Sequence, residues 1–256
     1  MNYLNAALAG FTAMAAAAVL TWLVSVWKKN VAIVDVLWSL MFLFGAAVYS
    51  RAVDAGPRQP LIMALVAFWA LRLAIYIGAR NWGEPEDRRY QAIRRRNDPG
   101  FTYKSLYLVF VLQAVLAAIV SQPLLGAIAG QAPLGWLDSL GVVVFAVGLF
   151  FETVGDWQLS RFKADPANSG KVMDRGLWGL TRHPNYFGDF CVWWGFYLLA
   201  LAAGAWWTIF GPLLISFLLL KVSGVRLLEK DIGQRRPGYA EYIRRTNAFF
   251  PGPKRA

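Results

Sequence analysis

Long apolar runs alternate along this chain with short polar segments, and that coarse rhythm outweighs any strand-like alternation. A membrane-spanning helix needs about 20 mostly apolar residues. Runs of this kind fall at 6–27, 31–50, 61–80, 105–130, 134–158, 186–203 and 205–222. Backbone polar groups in lipid must be satisfied within the segment, so such runs become helices. The pattern predicts an all-α fold, an integral membrane bundle of about seven transmembrane helices. Lys28 and Lys29 follow the first run instead of preceding it, which separates that run from a cleaved signal peptide. No repeat, heptad or low-complexity linker breaks the chain. Residues 1–256 are read as one membrane-embedded domain, with sub-bundles at 1–130 and 131–256 joined by the uncharged turn near Gly130 and Pro133.

The polar segments set the orientation. Basic residues gather in alternate connections: Lys28 and Lys29; then Arg80, Arg88, Arg89, Arg94, Arg95, Arg96 and Lys104; then Arg161, Lys163, Lys171, Arg175 and Arg182; then the tail from Arg226 to Arg255. The opposite connections hold only Arg51 and Arg58. The positive-inside rule then predicts the N-terminus outside and the C-terminus in the cytoplasm. The same rule absorbs the net charge of +11, which in a soluble protein would suggest nucleic acid; no nucleic-acid partner is expected. Composition agrees with lipid as the solvent: 57% hydrophobic and 16% charged residues, with a mean hydropathy of +0.42. The lone cysteine, Cys191, gives no internal disulfide, and the lone histidine, His183, argues against a metal centre. The bland reading of Arg94, Arg95 and Arg96, and of the tail end, is a topology signal with lipid head-group contact.

Charges inside spans are costly and mark functional candidates. They are Asp35, Arg72, Glu152, Asp156 and Asp189. An internal ion pair, such as Arg72 with Asp35, is the structural alternative. Glu152 and Asp156, four apart, share one helix face. The densest segment is 152–189, which leaves one span, crosses a polar loop holding Asp165, Asn168, Lys171, Asp174 and Arg175, and enters another span. Pro184 suits the first position of the new helix. The free amides there, with Arg182 and His183, favour an anion. Asn185, Tyr186 and Asp189 add an amide, a phenol and a carboxylate, a set suited to an amide, a ribose or an adenine. Neither GxGxxG nor GxxxxGK[ST] occurs, so a Rossmann site and a P-loop are excluded. In the tail, Arg226, Glu229, Asp231 and Tyr239 read either as binding groups or as a solvated face.

At LWGLTRHPNYFGDF the sequence resembles the steroid 5α-reductase superfamily, which includes the sterol C14-reductases. It closely resembles a bacterial, DUF1295-like branch of uncharacterised relatives. DVLWSL, RNWGEPEDRRYQAIR, DWQLSRFKADPANSGKV and PGYAEYIRRTNAFFPG extend the resemblance over about 35–251. It implies a seven-helix bundle, here in a bacterial inner membrane, that binds NADPH in a cavity open to the cytosol and reduces a polarised C=C bond of a lipid. Carried onto this chain, it gives Asp156, Lys163, Asn168, Lys171, Arg175, Trp178, Arg182, His183, Asn185, Tyr186, Asp189, Arg226, Asp231 and Tyr239 as cofactor residues. Arg72 and Arg80 are helpers. The substrate end departs from the steroid reductases. Val34 and Asp35 stand where a Gln-Glu pair would be, and Trp69 where a tyrosine donor would be. Asp35, Trp69 and Tyr76 are therefore the catalytic candidates. Trp38, Trp69, Trp193 and Trp194 either line an apolar substrate path or are core tryptophans. Two other classes compete: an S-adenosylmethionine-dependent membrane methyltransferase, which shares a shorter RHPxYxG-like stretch, and a non-catalytic sterol- or lipid-binding protein.

Overall fold

The computed structural model describes residues 2–222 and 237–255, and every regular element within them is helical. In chain order these are α1 (Tyr3–Lys28), α2 (Val34–Ala52, entered through a tight turn at Val31–Ile33), α3 (Gln59–Asn81), α4 (Arg88–Asn97), α5 (Phe101–Ala129), α6 (Trp136–Ala164), α7 (Pro184–Ala202), α8 (Trp206–Val222) and α9 (Tyr239–Arg245). Among the described residues, α1, α2, α3, α5 and α6 are long and apolar enough to cross a membrane; α7 and α8 are shorter and also apolar. Leu8, Leu20 and Leu23 of α1, Phe68 and Ile75 of α3, and Val143 and Phe150 of α6 point away from the protein. An apolar perimeter of this extent is stable against lipid and not against water. The chain is a membrane protein.

Local signals set the helix ends. The Asn2 side chain accepts from the Asn5 amide at 2.9 Å, satisfying one free N–H of the first turn of α1. That helix closes at Lys29, whose φ of 52° places it in the left-handed region. α5 is irregular twice. It widens into a π-helical turn at Leu106–Val111 and breaks at Ser121, just before Pro123, because proline has no N–H to continue the ladder.

The chain forms two compact units. The first runs to Leu134 and includes Ala200–Thr208; the second comprises Gly135–Leu199 and the residues from Ile209. In the first unit Tyr49 is fully buried. Its ring fills the space above Gly10, where any Cβ would collide with it. Its hydroxyl shares a 2.8 Å hydrogen bond with Ser121 Oγ. Arg58 is also buried, at 1% exposure. It donates from Nη1 to the Ala132 carbonyl at 2.6 Å and from Nη2 to the Pro133 and Ala202 carbonyls at 2.9 and 3.2 Å. This arginine stood on the sparse side of the charge count. Its guanidinium is spent on bracing three connections.

The second unit is built on a glycine seam. α6 carries Gly141, Gly148 and Gly155, seven apart, and α7 carries Gly188 and Gly195, also seven apart. A Cβ on Gly188 would stand 2.5 Å from the Gly148 carbonyl oxygen, and one on Gly195 would stand 2.8 Å from that of Gly141. Small residues let two helix backbones meet directly, which is how helices associate when lipid offers no hydrophobic drive. Gly155 faces the Pro184 ring. The seam therefore fixes the start of α7 against the end of α6 that carries Glu152 and Asp156.

Candidate functional site

The segment from Gly155 to Asp189 is held by its own side chains. Trp178 donates from Nε1 to the Gly155 carbonyl at 2.9 Å, and the Leu177 amide donates to Gln158 Oε1 at 3.0 Å. These bonds fold the loop back on α6. Asn168 donates from Nδ2 to the Phe162 carbonyl at 3.1 Å and to Asp165 Oδ2 at 3.3 Å, closing the turn after α6. Arg182, buried, donates to the Thr246 carbonyl at 2.6 Å and the Ile243 carbonyl at 3.2 Å. Its amide donates to the Asn247 carbonyl at 2.9 Å. Thr181 Oγ1 donates to the Phe249 carbonyl at 2.8 Å, and the Tyr242 hydroxyl to that of Trp178 at 2.5 Å. Phe249 then packs its ring against Phe187 and Phe190 of α7, with centroids 6.1 and 5.6 Å away. The C-terminal segment is thus stitched to the loop. Trp178, Arg182 and Asn168, expected as cofactor groups, all carry structural bonds here.

The chemically able groups stand on this frame. Glu152 and Asp156 are both buried, and a Cβ on Gly188 would lie 2.7 Å from Glu152 Cγ. Glu152, a functional candidate by its charge within a span but not one of the cofactor residues the resemblance implies, stands with Asp156 on one buried face of α6. His183 is buried at 4% exposure and stacks on Tyr186, with centroids 5.6 Å apart and planes 8° from parallel. Asn185, Tyr186 and Asp189 are half-buried along the first turns of α7. Lys163, Lys171 and Arg175 are exposed. Tyr239 is buried, edge-on to Tyr242 at 5.6 Å. Arg226 and Asp231 lie outside the described residues. Lys171 lines a cavity of about 440 Å³ with Tyr242, Arg245, Thr246 and Lys254, so two tail cations that sequence reasoning left on the surface share a cavity with an expected one. The donor set fits a ligand with anionic, amide and hydroxyl groups: cations on the loop, the start of a helix, and buried carboxylates behind it.

The first unit holds the other candidates. Asp35 is paired, but not with Arg72. Arg89 Nη2 meets its Oδ2 at 2.8 Å, and the Tyr90 hydroxyl donates to its Oδ1 at 2.5 Å. Sequence reasoning missed both partners because the basic run was taken as a topology signal. Arg89 also pairs with Asp87 at 3.0 Å. Next to them Arg94 grips Glu86 with two bonds, at 2.8 and 3.0 Å, while Glu86 accepts from the Val31 amide at 2.8 Å. The α4 segment is thereby pinned to the start of α2. Burial works against the charge on Arg89, yet the Asp35 and Asp87 carboxylates hold its pKa above the ordinary value. Burial and then the adjacent Asp35 charge push the Tyr90 phenol well above its usual range. Trp69 is fully buried in a row of aromatics, edge-on to Phe42 at 5.7 Å, with Trp38 at 5.0 Å from Phe42. Tyr76 is half-buried beneath Arg80, whose guanidinium lies 5.8 Å from its ring centre. Arg72 is half-buried, and Arg80 is exposed.

Comparison with known proteins adds three findings. A family model described as a protein of unknown function, DUF1295, matches residues 21–246. An uncharacterised protein of Schizosaccharomyces pombe is 30% identical over 267 residues, covering 90% of this chain and 75% of that protein. A protein of Ustilaginoidea virens named as a probable O-methyltransferase is 40% identical over 79 residues, which is 31% of this chain and 26% of that protein. No solved structure matches significantly.

Proposed function

The chain belongs to the DUF1295 family, and from that premise we propose that it is an NADPH-dependent membrane reductase acting on a polarised C=C bond of a lipid or steroid-like substrate. The observation that carries the proposal is the second unit's grouping of His183, Asn185, Tyr186 and Asp189 at the start of α7, over the buried Glu152 and Asp156 and next to a cationic loop. The signature's resemblance to the steroid 5α-reductases supports it. Lys163, Lys171 and Arg175 would hold the phosphates, and Asn185, Tyr186 and Asp189 the amide and sugar groups. NADPH, when bound, supplies the hydride. The protein's share is to orient, to exclude water and to offer a donor where negative charge develops on the substrate oxygen. Asp35, Trp69 and Tyr76 are the residues proposed to meet the substrate.

The proposal includes seven spans, with α7 and α8 crossing alongside the five long helices. The 19 residues of α7 rise about 28 Å, close to the thickness of a hydrocarbon core. The proposal also has the loop between α6 and α7 on the cytoplasmic side, which the basic residues of the alternate connections support.

A second reading, methyl transfer from S-adenosylmethionine, rests on the partial similarity to the protein named as an O-methyltransferase. Phosphate separates the two, because S-adenosylmethionine has none for the loop cations. The test is thermal unfolding of the detergent-purified protein with NADPH, NADH or S-adenosylmethionine, in wild type and Asn185→Ala. A ligand held at a hundredfold its dissociation constant adds about 2.7 kcal/mol. Stabilisation by NADPH, lost in Asn185→Ala, is the expected result. Stabilisation by S-adenosylmethionine alone would replace the reductase with a methyltransferase at the same site. No stabilisation by any of the three would leave a lipid-binding protein.

A further inference from the structure

Helix α4 spends its arginines in two ways. At about 100° of turn per residue, Tyr90, Ile93, Arg94 and Asn97 share one face, and Arg88, Arg95 and Arg96 share the opposite one. The first face is bound to the protein. Tyr90 is buried against Asp35, Arg94 grips Glu86 and lies 4.7 Å from the Phe101 ring centre, and Arg89, at the edge, pairs with Asp35 and Asp87. These bonds consume Asp35, Glu86 and Asp87. Arg88, Arg95 and Arg96 are exposed, and among the described residues no carboxylate pairs with any of them.

The surroundings place this cationic face at a bilayer surface. The same end of the first unit exposes Trp27 by 79%, Trp82 by 84% and Tyr103 by 75%. They sit near the end of α1, after α3 and near the start of α5, and Lys28 Nζ lies 5.9 Å over the Trp82 ring. Trp22 Nε1 donates to the Thr102 carbonyl at 3.1 Å, so the ends of α1 and α5 are level. Exposed tryptophan and tyrosine collect where a membrane protein crosses the head-group layer. A helix clamped at that depth by one face presents its other face to phosphates.

We infer that α4 lies along the membrane surface and that Arg88, Arg95 and Arg96 bind the phosphates of anionic phospholipid head groups. Guanidinium groups match phosphate with paired hydrogen bonds. The bound face makes the site, because it stops the three arginines from folding back onto Asp35, Glu86 or Asp87. The inference does not depend on the reductase reading, whose phosphate-holding residues Lys163, Lys171 and Arg175 lie in the second unit.

The experiment reconstitutes the full chain in phosphatidylcholine and measures association of spin-labelled phosphatidylglycerol against spin-labelled phosphatidylcholine by electron paramagnetic resonance. A basic side chain at the surface gives roughly fivefold preference for an anionic lipid. Wild type is expected to show at least that selectivity. The variant Arg88→Gln/Arg95→Gln/Arg96→Gln is expected to fall close to none, with its thermal stability unchanged. The corresponding triple lysine variant keeps most of the selectivity, which controls for loss of fold. Equal selectivity in wild type and the glutamine variant, or none in wild type, overturns the inference. So does loss of selectivity in inorganic phosphate beyond that in sodium chloride of equal ionic strength, which would point to a soluble phosphate ligand.

Discussion

Tyr90 gives its phenolic hydrogen to the Asp35 carboxylate across 2.5 Å, and the two residues are joined by nothing closer in sequence than 55 positions. The bond fastens a surface helix to the mouth of α2. It also places a proton-bearing phenol on the acid that sequence reasoning singled out.

Replacing Tyr90 by phenylalanine removes the donor and leaves one oxygen of a mostly buried carboxylate without it. The expected loss is about 1–3 kcal/mol, read by thermal unfolding of the purified protein. The pH dependence separates this from simple packing. The Tyr90 phenol is held above its ordinary value in the folded state, so its contribution is full below about pH 10 and lost as the pH rises beyond it. Wild type should lose stability in that alkaline range more steeply than Tyr90→Phe. Equal slopes would mean that the phenol's proton contributes nothing.

Gly188→Ala drives a methyl group against the Gly148 carbonyl and Glu152. The helices must part, at about 1–3 kcal/mol or more. Gly78→Ala, in α3, meets nothing within 4 Å and should be neutral or gain up to about 1 kcal/mol from helix propensity. Paired melting curves of the two variants check this. A Gly188→Ala protein as stable as Gly78→Ala would show that the seam is loose.

Arg182→Ala deprives the Thr246 and Ile243 carbonyls of a charged donor. Stability should fall by about 2–3 kcal/mol with no cofactor added, and limited proteolysis should cut within 237–255 faster than in wild type. If only NADPH-dependent stabilisation changed, Arg182 would be a binding residue and not a clasp.

The apolar helices, five of them long enough to cross a membrane, were legible because apolar length is a local property: each run announces itself without knowing its neighbours. The division of labour inside the polar segments was not. Trp178, Arg182 and Asn168 look like ligand-binding groups by type, yet their partners are the carbonyls of Gly155, Thr246 and Phe162, and a carbonyl leaves no mark in a sequence. For Asp35 the structural alternative was an ion pair with Arg72, another charge within a span, while the partner that closes on it, Arg89, came from a connection counted for its orientation signal. Gly188 stands four residues past Pro184, in the segment read as a polar loop entering a span. It serves as the seat of a helix–helix contact, which becomes visible only once α6 shows glycines at the same interval of seven.

That interval constrains how the protein can move. Screwing α7 along α6 by one residue, a turn of about 100°, would drive Phe187 or Asp189 into a space that admits only hydrogen. To leave this register the two helices must first separate. The pair works as a fixed yoke with the 165–183 loop slung between its arms. Any opening or closing that accompanies a ligand must then be made by the loop and the C-terminal strap tied to it, while the arms keep their spacing throughout.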